Sequence, residues 1–303
     1  MNRRRFLQTA LAGAPALALP WIPTKTVARV AIGGGSLTTV SDGYLALPRS
    51  FVLGELSPDE AVPVIEAAGY SMDDFRSPCN LAIWQKEDMT VLFDAGSGPD
   101  FMPTAGTLAD SLDAAGLTAE DITHVLITHG HPDHIWGIID DFDEPTFYNA
   151  RHFMGAREHA YWSDPGTIDT IDAARQSFAA GAIRRLDIMG SDMALFGNGD
   201  EVVPGITAVS TPGHTPGHMA FRIADGNETA LIVGDAIGNA HLALARPEWV
   251  SPADQDGQTG IATRMALLED LSGSGERMVG FHLSDGGIGA IEAGPDGYVF
   301  SPD

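Results

Sequence analysis

The sequence predicts an α/β protein with the layered organisation of an αββα sandwich, in which two mixed sheets are flanked by helices. Stretches rich in strand-forming residues alternate with helical stretches, as in other layered α/β folds. The 303 residues, 44% of them hydrophobic, are enough to bury the core of one large domain. The strand-rich stretches are residues 27–45, 79–94, 201–233 and 276–300.

Turn and cap residues mark the elements of the first half. Residues 27–45 are predicted to form two strands around a triple glycine. A helix is predicted over residues 57–69, because a serine followed by a proline is typical of a helix start. A β-hairpin over residues 79–94 is followed by a helix over residues 108–115, which Gly116 ends.

Further elements are predicted after Gly116. A short apolar strand covers residues 122–128, and helices are predicted over residues 153–162 and 168–182. After the β-rich stretch at residues 201–233, the last clear helix covers residues 263–271. Strands are predicted again from residue 276 to residue 300.

Four side chains that can bind a metal lie within six residues, in the pattern H-x-H-x-D-H. They are His129, His131, Asp133 and His134. The preceding residues form an apolar strand, and Pro132 suits the first turn of a helix, so the run lies where a strand ends and a helix begins. Side chains two residues apart on an extended backbone point the same way. This spacing of imidazole and carboxylate groups indicates a metal site.

Three other predicted strands also end in a residue that can bind a metal. His214 follows a strand within the run Thr-Pro-Gly-His, Asp235 ends the strand Leu-Ile-Val-Gly-Asp, and His282 ends the strand Met-Val-Gly-Phe-His. Loops at the carboxyl ends of strands converge in layered α/β folds. We therefore expect these three residues to join the H-x-H-x-D-H run in one site.

These motifs, in this order, resemble those of the metallo-β-lactamase superfamily of hydrolases, over about residues 30–300. The resemblance implies two αβ halves that meet near residues 190–199, with the metals between their sheets. It also implies two Zn²⁺ ions per chain, with other divalent metals tolerated. It assigns His129, His131 and His214 to the first ion, Asp133, His134 and His282 to the second, and Asp235 to both. A hydroxide that bridges two such ions is a nucleophile at neutral pH. Asp133 and Asp235 are then the predicted catalytic carboxylates.

Four further residues are predicted to lie near the site. Asp94 ends the strand Thr-Val-Leu-Phe-Asp and resembles the family's first motif, whose aspartate orients a metal ligand. His218 repeats the Gly-His pair of His214 and is expected to brace that loop. His241 lies in the loop after the Val-Gly-Asp strand and is a candidate for substrate contact. Asp285 is expected at the wall of the pocket.

Within the superfamily, the sequence most resembles the methyl parathion hydrolase branch, near bacterial lactonases. Its early Val-Ser-Asp-Gly-Tyr run and its Asp-Glu-Val-Val-Pro-Gly run before the third motif support this resemblance. In that branch a Pro-Phe-Pro-Gly stretch follows the last histidine, whereas this chain has Ser284, Asp285 and Gly286. We therefore expect a small, polar and acidic pocket wall in place of an aromatic one.

The first 25 residues resemble a twin-arginine export signal. Arg3 and Arg4 form the pair, an apolar stretch follows, and Ala16-Leu17-Ala18 is a candidate cleavage site. The apolar stretch is too short to span a membrane. The prediction is thus a signal peptide at residues 1–25 and a hydrolase domain at residues 26–303. The mature protein is expected in the periplasm, without a membrane anchor, after contact with the export machinery.

The charge of the chain disfavours some partners. The 17 basic and 41 acidic residues give a formal net charge of −24, which repels nucleic acid and anionic membranes. Cys79 is the only cysteine, so no disulfide can form within the chain, and we expect it to be a small buried residue. A homodimer is left open.

The sequence therefore predicts a dinuclear zinc hydrolase that acts on a small neutral molecule with an ester-like bond. A lactone or carboxylic ester comes first, with a phosphotriester as a side activity. The alternative enzyme is a β-lactam hydrolase. The alternative outside catalysis is an inactive, metal-stabilised binding protein, but all seven ligand positions are filled, which argues against a decayed site.

Overall fold

A computed structural model of the protein describes residues 28–295 and 297–303. It confirms the predicted αββα sandwich: two seven-stranded sheets face each other, and helices cover the outer face of each. The predicted export signal lies outside the described residues. Within the described ranges, no helix is both long and apolar enough to cross a membrane.

The first sheet holds seven strands side by side in chain order. They are β1 (Arg29–Ile32), β2 (Gly35–Ala46), β3 (Arg76–Lys86), β4 (Met89–Phe93), β5 (His124–Ile127), β6 (Arg151–Gly155) and β7 (Met193–Phe196). Neighbours are antiparallel from β1 to β4 and parallel from β4 to β7. Parallel neighbours need a crossover connection, and helices lie in each link between β4 and β7. Strands β4 and β5 consequently end at the same edge of the sheet.

The second sheet is also arranged in chain order. Its strands are β8 (Glu201–Val203), β9 (Ile206–Ser210), β10 (Met219–Asp225), β11 (Glu228–Gly234), β12 (Arg277–Gly280), β13 (Ile288–Gly294) and β14 (Gly297–Pro302). All neighbours are antiparallel except β11 and β12. Strands β9, β11 and β12 therefore run in the same direction. The chain passes from one sheet to the other between Phe196 and Glu201, at the predicted boundary.

Eight α-helices accompany the sheets. They are α1 (Arg49–Leu53), α2 (Pro58–Ala67), α3 (Leu108–Ala114), α4 (Pro132–Ile135), α5 (Ala156–Ser163), α6 (Thr167–Thr170), α7 (Gln176–Met189) and α8 (Gly257–Ser274) within the described residues. Helix α8 begins where the Asp256 side chain accepts a hydrogen bond from the Thr259 backbone N–H at 3.0 Å. It ends at Gly275, whose left-handed φ of 68° suits a glycine.

Apolar side chains fill three layers of the sandwich. Trp84, Phe93 and Phe221 are buried between the two sheets. Trp162 and Leu186 belong to the layer that packs helices against the outer face of the first sheet. A third cluster packs α8 against the second sheet. The apolar core covers both faces of each sheet. Polar side chains can therefore gather at one edge of the sandwich, where strands end.

Two of the predicted helices were wrong in extent. Phe153 lies in β6, between Leu126 and Ala194, because parallel pairing on both sides outweighs its local helical pattern. The predicted helix over residues 168–182 is broken, because the Asp172 side chain accepts a hydrogen bond from the Ala174 N–H at 2.8 Å and starts a new helical turn.

Candidate functional site

Five strand ends bring the predicted site residues to one edge of the sandwich. In the first sheet, Asp94 follows β4, and the H-x-H-x-D-H run follows β5. In the second sheet, the loop with His214 follows β9, Asp235 follows β11, and His282 lies two residues after β12. Within each sheet, the strands that precede these residues run in the same direction and end at the same edge. At that edge, the loops of the first sheet lie against the loops of the second.

The seven predicted metal ligands form one buried cluster. Their ligand atoms fall into groups within 4.8 Å of one another: His129, His131, His214 and Asp235; His134, Asp235 and His282; and Asp133, His282 and Cys79. Asp235 Oδ2 lies 3.3 Å from His214 Nε2 and 3.3 Å from His282 Nε2. The Asp235 carboxylate thus belongs to both the first and the second of these groups.

Three histidines use one ring nitrogen as an anchor and turn the other into the cluster. His134 Nδ1–H donates to Asp94 at 2.8 Å, and His282 Nδ1–H donates to the Pro78 carbonyl at 2.7 Å. His129 Nδ1 lies 3.0 Å from the Thr128 hydroxyl oxygen, which itself donates to Asp94. Such anchors fix the tautomer and leave Nε2 with a free lone pair.

Several atoms that point into the cluster lack a hydrogen bond. Among residues 28–295 and 297–303, His129 Nε2, His134 Nε2 and Asp235 Oδ1 are buried and have no hydrogen-bond partner. Buried polar groups are ordinarily paired, so unpaired lone pairs that converge in one place fit a cation. The mixed imidazole and carboxylate set suits zinc or another first-row divalent metal. The residues present therefore fit a metal centre.

Burial and mutual contact set the protonation of the cluster. Burial, together with the neighbouring imidazoles, holds the pKa of His129 and His131 well below the ordinary value, so both are neutral. Burial would raise the pKa of Asp133 and Asp235, but the imidazoles of His134 and His282 keep both carboxylates ionised. Neutral imidazoles and ionised carboxylates are the forms that bind metals. Although burial opposes it, the neighbouring carboxylates raise the pKa of His134 and His282 well above the ordinary value, so a metal would displace a proton from each.

Asp94 touches the cluster from outside. Its Oδ1 accepts a hydrogen bond from the Thr128 backbone N–H at 2.7 Å, and its Oδ2 accepts from His134 Nδ1. Its backbone has a left-handed φ of 66°, which aspartate tolerates better than most residues. Asp94 thus orients His134 without pointing into the group of ligand atoms.

Two histidines outside the seven are buried beside the cluster. His218 Nε2 accepts a hydrogen bond from the Asp235 backbone N–H at 3.1 Å, and its Nδ1 faces the Thr211 hydroxyl at 2.8 Å. These contacts join two of the loops. His241 packs between Tyr70 and Phe75, with ring centroids 5.0 Å and 4.7 Å away, and burial lowers its pKa to about 3.

A cavity of about 240 Å³ opens onto the cluster and is called here the metal cavity. Five of the seven ligand residues line it, together with His241 and Arg175. Its remaining wall is largely apolar and includes Leu47, Phe51, Phe75, Phe101, Met102 and Phe178. The expectation of a small, polar and acidic wall is therefore wrong. The aromatic wall comes from the segments around α1, β4–α3 and α7, which the sequence motifs did not mark.

The expected position of Asp285 is also wrong. The loop after His282 is held from the side of the first sheet, because the Asn80 side chain donates to the Leu283 carbonyl at 2.7 Å and Thr39 donates to the Gly286 carbonyl at 2.7 Å. The chain turns at Asp285 with a φ of 55°, and the side chain is exposed. Asp285 lines a separate surface groove of about 1120 Å³ and not the metal cavity.

The motifs did not reveal three residues beside the site. Cys79 was expected to be buried, and is, but it also lies next to Asp133 and His282; burial raises the pKa of its thiol to about 12. Arg175 reaches the metal cavity from the segment before α7, and Glu158 contacts two of the ligand loops from α5. None of the three belongs to a recognisable spacing, so no pattern in the sequence could have identified them.

An αββα sandwich with this cluster at its sheet edge defines a metal-dependent hydrolase. The profile of the Metallo-beta-lactamase superfamily matches residues 75–279 of the chain. The chain therefore belongs to that superfamily, as its motifs suggested.

Known proteins share this fold and part of this sequence. The uncharacterised protein YobT of Bacillus subtilis (strain 168) is 27% identical over 159 residues, which cover 52% of this chain and 62% of YobT. The N-acyl homoserine lactonase AttM of Agrobacterium fabrum (strain C58) is 26% identical over 127 residues, or 41% of this chain and 44% of AttM. The structure of AidC, a dizinc quorum-quenching lactonase solved with a product, superposes with a TM-score of 0.86 at 23% identity, over 92% of this chain and 99% of AidC. The likeness to AidC shows a common fold.

Proposed function

We propose that the protein is a dinuclear zinc hydrolase that cleaves a small, uncharged lactone or carboxylic ester. One observation carries this proposal: the Asp235 carboxylate lies 3.3 Å from ligand nitrogens of both His214 and His282. A carboxylate shared by two groups of ligands is suited to hold two ions side by side. The lactonases among the similar proteins point the same way.

The proposal assigns a role to each residue of the cluster. His129, His131 and His214 would hold one ion, and Asp133, His134 and His282 the other, with Asp235 between them. When bound, two divalent ions supply an activated water at neutral pH and polarise the carbonyl oxygen of an ester. Asp133 and Asp235 line the metal cavity, where a carboxylate can pass a proton to the departing alcohol.

The walls of the metal cavity favour a substrate with an apolar part. The apolar side chains that line the cavity, among them the six named above, give an acyl or alkyl group of the substrate a surface to contact. Arg175 is held at the wall, because its Nη2 donates to the carbonyls of Pro252 at 2.8 Å and Ala253 at 2.9 Å. A guanidinium fixed in this way is suited to an acceptor oxygen of the substrate.

Metal analysis and a substrate panel test the proposal together. Zinc-loaded protein should contain about two ions per chain and should cleave lactones or aryl esters faster than phosphotriesters or β-lactams of similar size. Asp235→Ala should lose metal and nearly all activity. A firm content of one ion, or a preference for β-lactams or phosphotriesters, would contradict the assignment. Two bound ions with no hydrolysis of any panel member would favour the binding-protein alternative.

We further propose that residues 1–25 are a twin-arginine signal and that the mature enzyme works in the periplasm. The paired Arg3 and Arg4 before an apolar stretch support this proposal. That pathway carries folded proteins, so the metal centre could be assembled before export. The proposed partners are the export machinery and a small-molecule substrate.

A further inference from the structure

We infer that Glu158 is a positioning residue of the metal site, because its buried carboxylate ties together the two loops that carry His129, His131 and His214. The inference rests on the metal centre of the proposed function. It concerns a residue that belongs to none of the metal-binding motifs.

Both oxygens of Glu158 accept hydrogen bonds from the ligand loops. Oε1 accepts from the Gly130 backbone N–H at 3.0 Å, and Oε2 accepts from the Gly217 backbone N–H at 2.8 Å. Gly130 lies between His129 and His131, and Gly217 lies three residues after His214. One loop follows a strand of the first sheet and the other a strand of the second. A single carboxylate of α5 therefore joins loops that come from opposite sheets.

The two loops rest directly on α5. A Cβ atom on Gly217 would lie 2.3 Å from the Glu158 backbone nitrogen, and a Cβ atom on Gly130 would lie 2.5 Å from the ring of Trp162. Only glycine lets the backbone approach so closely. Trp162 is fully buried, donates its Nε1–H to Glu158 Oε1 at 2.6 Å, and has its ring centroid 5.5 Å from that of His131. A shift of Glu158 would consequently be transmitted to the histidines.

The contacts need a carboxylate and not an amide. The backbone N–H groups of Gly130 and Gly217 and the indole N–H of Trp162 donate to Glu158, and the Thr215 side chain also favours its ionised form. A glutamine would direct its NH₂ group at one of these donors, which leaves a buried donor without an acceptor. Burial raises the pKa of the Glu158 carboxyl group. The hydrogen bonds that its two oxygens accept oppose this effect and stabilise the ionised form.

The contacts of Glu158 lie beside the histidines of one ligand set, although the run at Gly130 continues to Asp133 and His134 of the other set. His134 is oriented by Asp94 and His282 by the Pro78 carbonyl, whereas Glu158 acts on the loops of the other three histidines. Loss of a group that orients metal ligands typically lowers metal affinity about 10- to 100-fold. We therefore expect a change at Glu158 to weaken one ion and to spare the other.

A chelator competition on zinc-loaded, full-length protein tests the inference. In Glu158→Gln, one zinc should be released at about 10- to 100-fold lower concentration of free chelator, and the second within about threefold of wild type. Asp42→Asn is the matched control. Asp42 is equally buried and accepts backbone N–H bonds from Ser97 and Leu108, each at 2.8 Å, but it touches neither histidine loop. This control should lower the urea midpoint and retain both ions.

A milder variant keeps the test decisive if Glu158→Gln does not fold. Trp162→Phe removes one donor and keeps the carboxylate, and it should weaken the same ion by about three- to tenfold, because one hydrogen bond is lost. Wild-type retention of both ions, equal weakening of both ions, or an equal effect in Asp42→Asn would overturn the inference. Wild-type protein that binds two ions but cleaves no ester would overturn the proposed function alone. Wild-type protein that binds no zinc would overturn both.

Discussion

Replacing Asp94 by asparagine is expected to damage metal binding through the tautomer of His134. The Asp94 carboxylate accepts hydrogen bonds from His134 Nδ1–H at 2.8 Å and from the Thr128 backbone N–H at 2.7 Å. Asparagine can keep the contact with Thr128, but its NH₂ group then faces His134. Nδ1 must accept that hydrogen bond, so the ring proton moves to Nε2. That atom lies 3.5 Å from the carboxylates of Asp133 and Asp235, where the lone pair is needed.

The size of the effect follows from the contacts that are lost. A hydrogen bond to a charged group contributes about 1.5–3 kcal/mol, so the free energy of unfolding of Asp94→Asn should fall by about 2 kcal/mol. Loss of a partner that orients a metal ligand lowers metal affinity about 10- to 100-fold. This corresponds to about 1.4–2.8 kcal/mol of binding free energy.

Asp94→Ala separates the tautomer from the fold. Alanine removes the acceptor of three buried donors, Thr128 N–H, Thr128 Oγ1–H and His134 Nδ1–H, at about 1–3 kcal/mol for each that stays unpaired. It also tolerates the φ of 66° at this position less well than asparagine does. Alanine should therefore destabilise the fold more than asparagine. It leaves the His134 ring free to choose its tautomer, however, so it should retain zinc better than asparagine.

Two measurements decide the matter. Urea unfolding of chelator-treated protein gives the free energy of unfolding, and chelator competition gives zinc affinity. Asp94→Asn should have the higher free energy of unfolding of the two variants, whereas Asp94→Ala should have the higher zinc affinity. If Asp94→Asn retains zinc like wild type, or if both variants rank the same way in both assays, the tautomer argument is wrong.

Three further predictions concern residues away from that contact. Asp285→Asn should change kcat/KM by less than about twofold for neutral and anionic esters alike, because the exposed Asp285 side chain lies outside the metal cavity and its charge is screened by salt. A gain in kcat/KM confined to the anionic ester would show that Asp285 does face the metal cavity. Burial lowers the pKa of His152 from the ordinary value of 6.5 to about 4. Between pH 6.5 and pH 4 the unfolded chain therefore binds a proton at His152 that the folded chain does not bind, so the free energy of unfolding falls as the pH falls. His152→Leu should remove about 2 kcal/mol of that loss between pH 7 and about pH 4.5, as measured by urea unfolding, and an unchanged slope would show that another group is responsible. Arg3→Lys combined with Arg4→Lys should leave the precursor in the cytoplasm in a cell-fractionation assay, whereas unchanged periplasmic delivery would count against the twin-arginine assignment.

Local sequence was sufficient to predict which candidate ligands meet in one cluster. The H-x-H-x-D-H run and the three strand-terminal residues His214, Asp235 and His282 were all found from spacing, and the structure brings them into one cluster. This succeeded because each ligand follows directly on a strand, and strand direction alone decides which ends meet. The family resemblance, and not the spacing, placed the boundary between the two halves near residues 190–199, and the chain changes sheet between Phe196 and Glu201.

Local sequence failed where a residue's partner lies far along the chain. Phe153 has a helical pattern around it but lies in a strand, because β5 and β7 pair with it from both sides. Asp285 lies next to a ligand in sequence, yet Thr39 and Asn80 hold its loop so that the side chain faces away from the metal cavity. In both cases contacts between distant segments outweighed the local pattern.

The sequence by itself determined the layered α/β class, the seven candidate ligands and the superfamily to which the chain belongs. Only the tertiary structure decided which side chains surround those ligands: the aromatic wall of the metal cavity, Arg175 at its edge and Glu158 beneath two loops. The physical reason is that metal ligands must follow one another at spacings set by strand geometry, which leaves a readable pattern. Orienting and lining residues need only to reach the site through space, so helices that are remote in sequence can supply them without any fixed spacing.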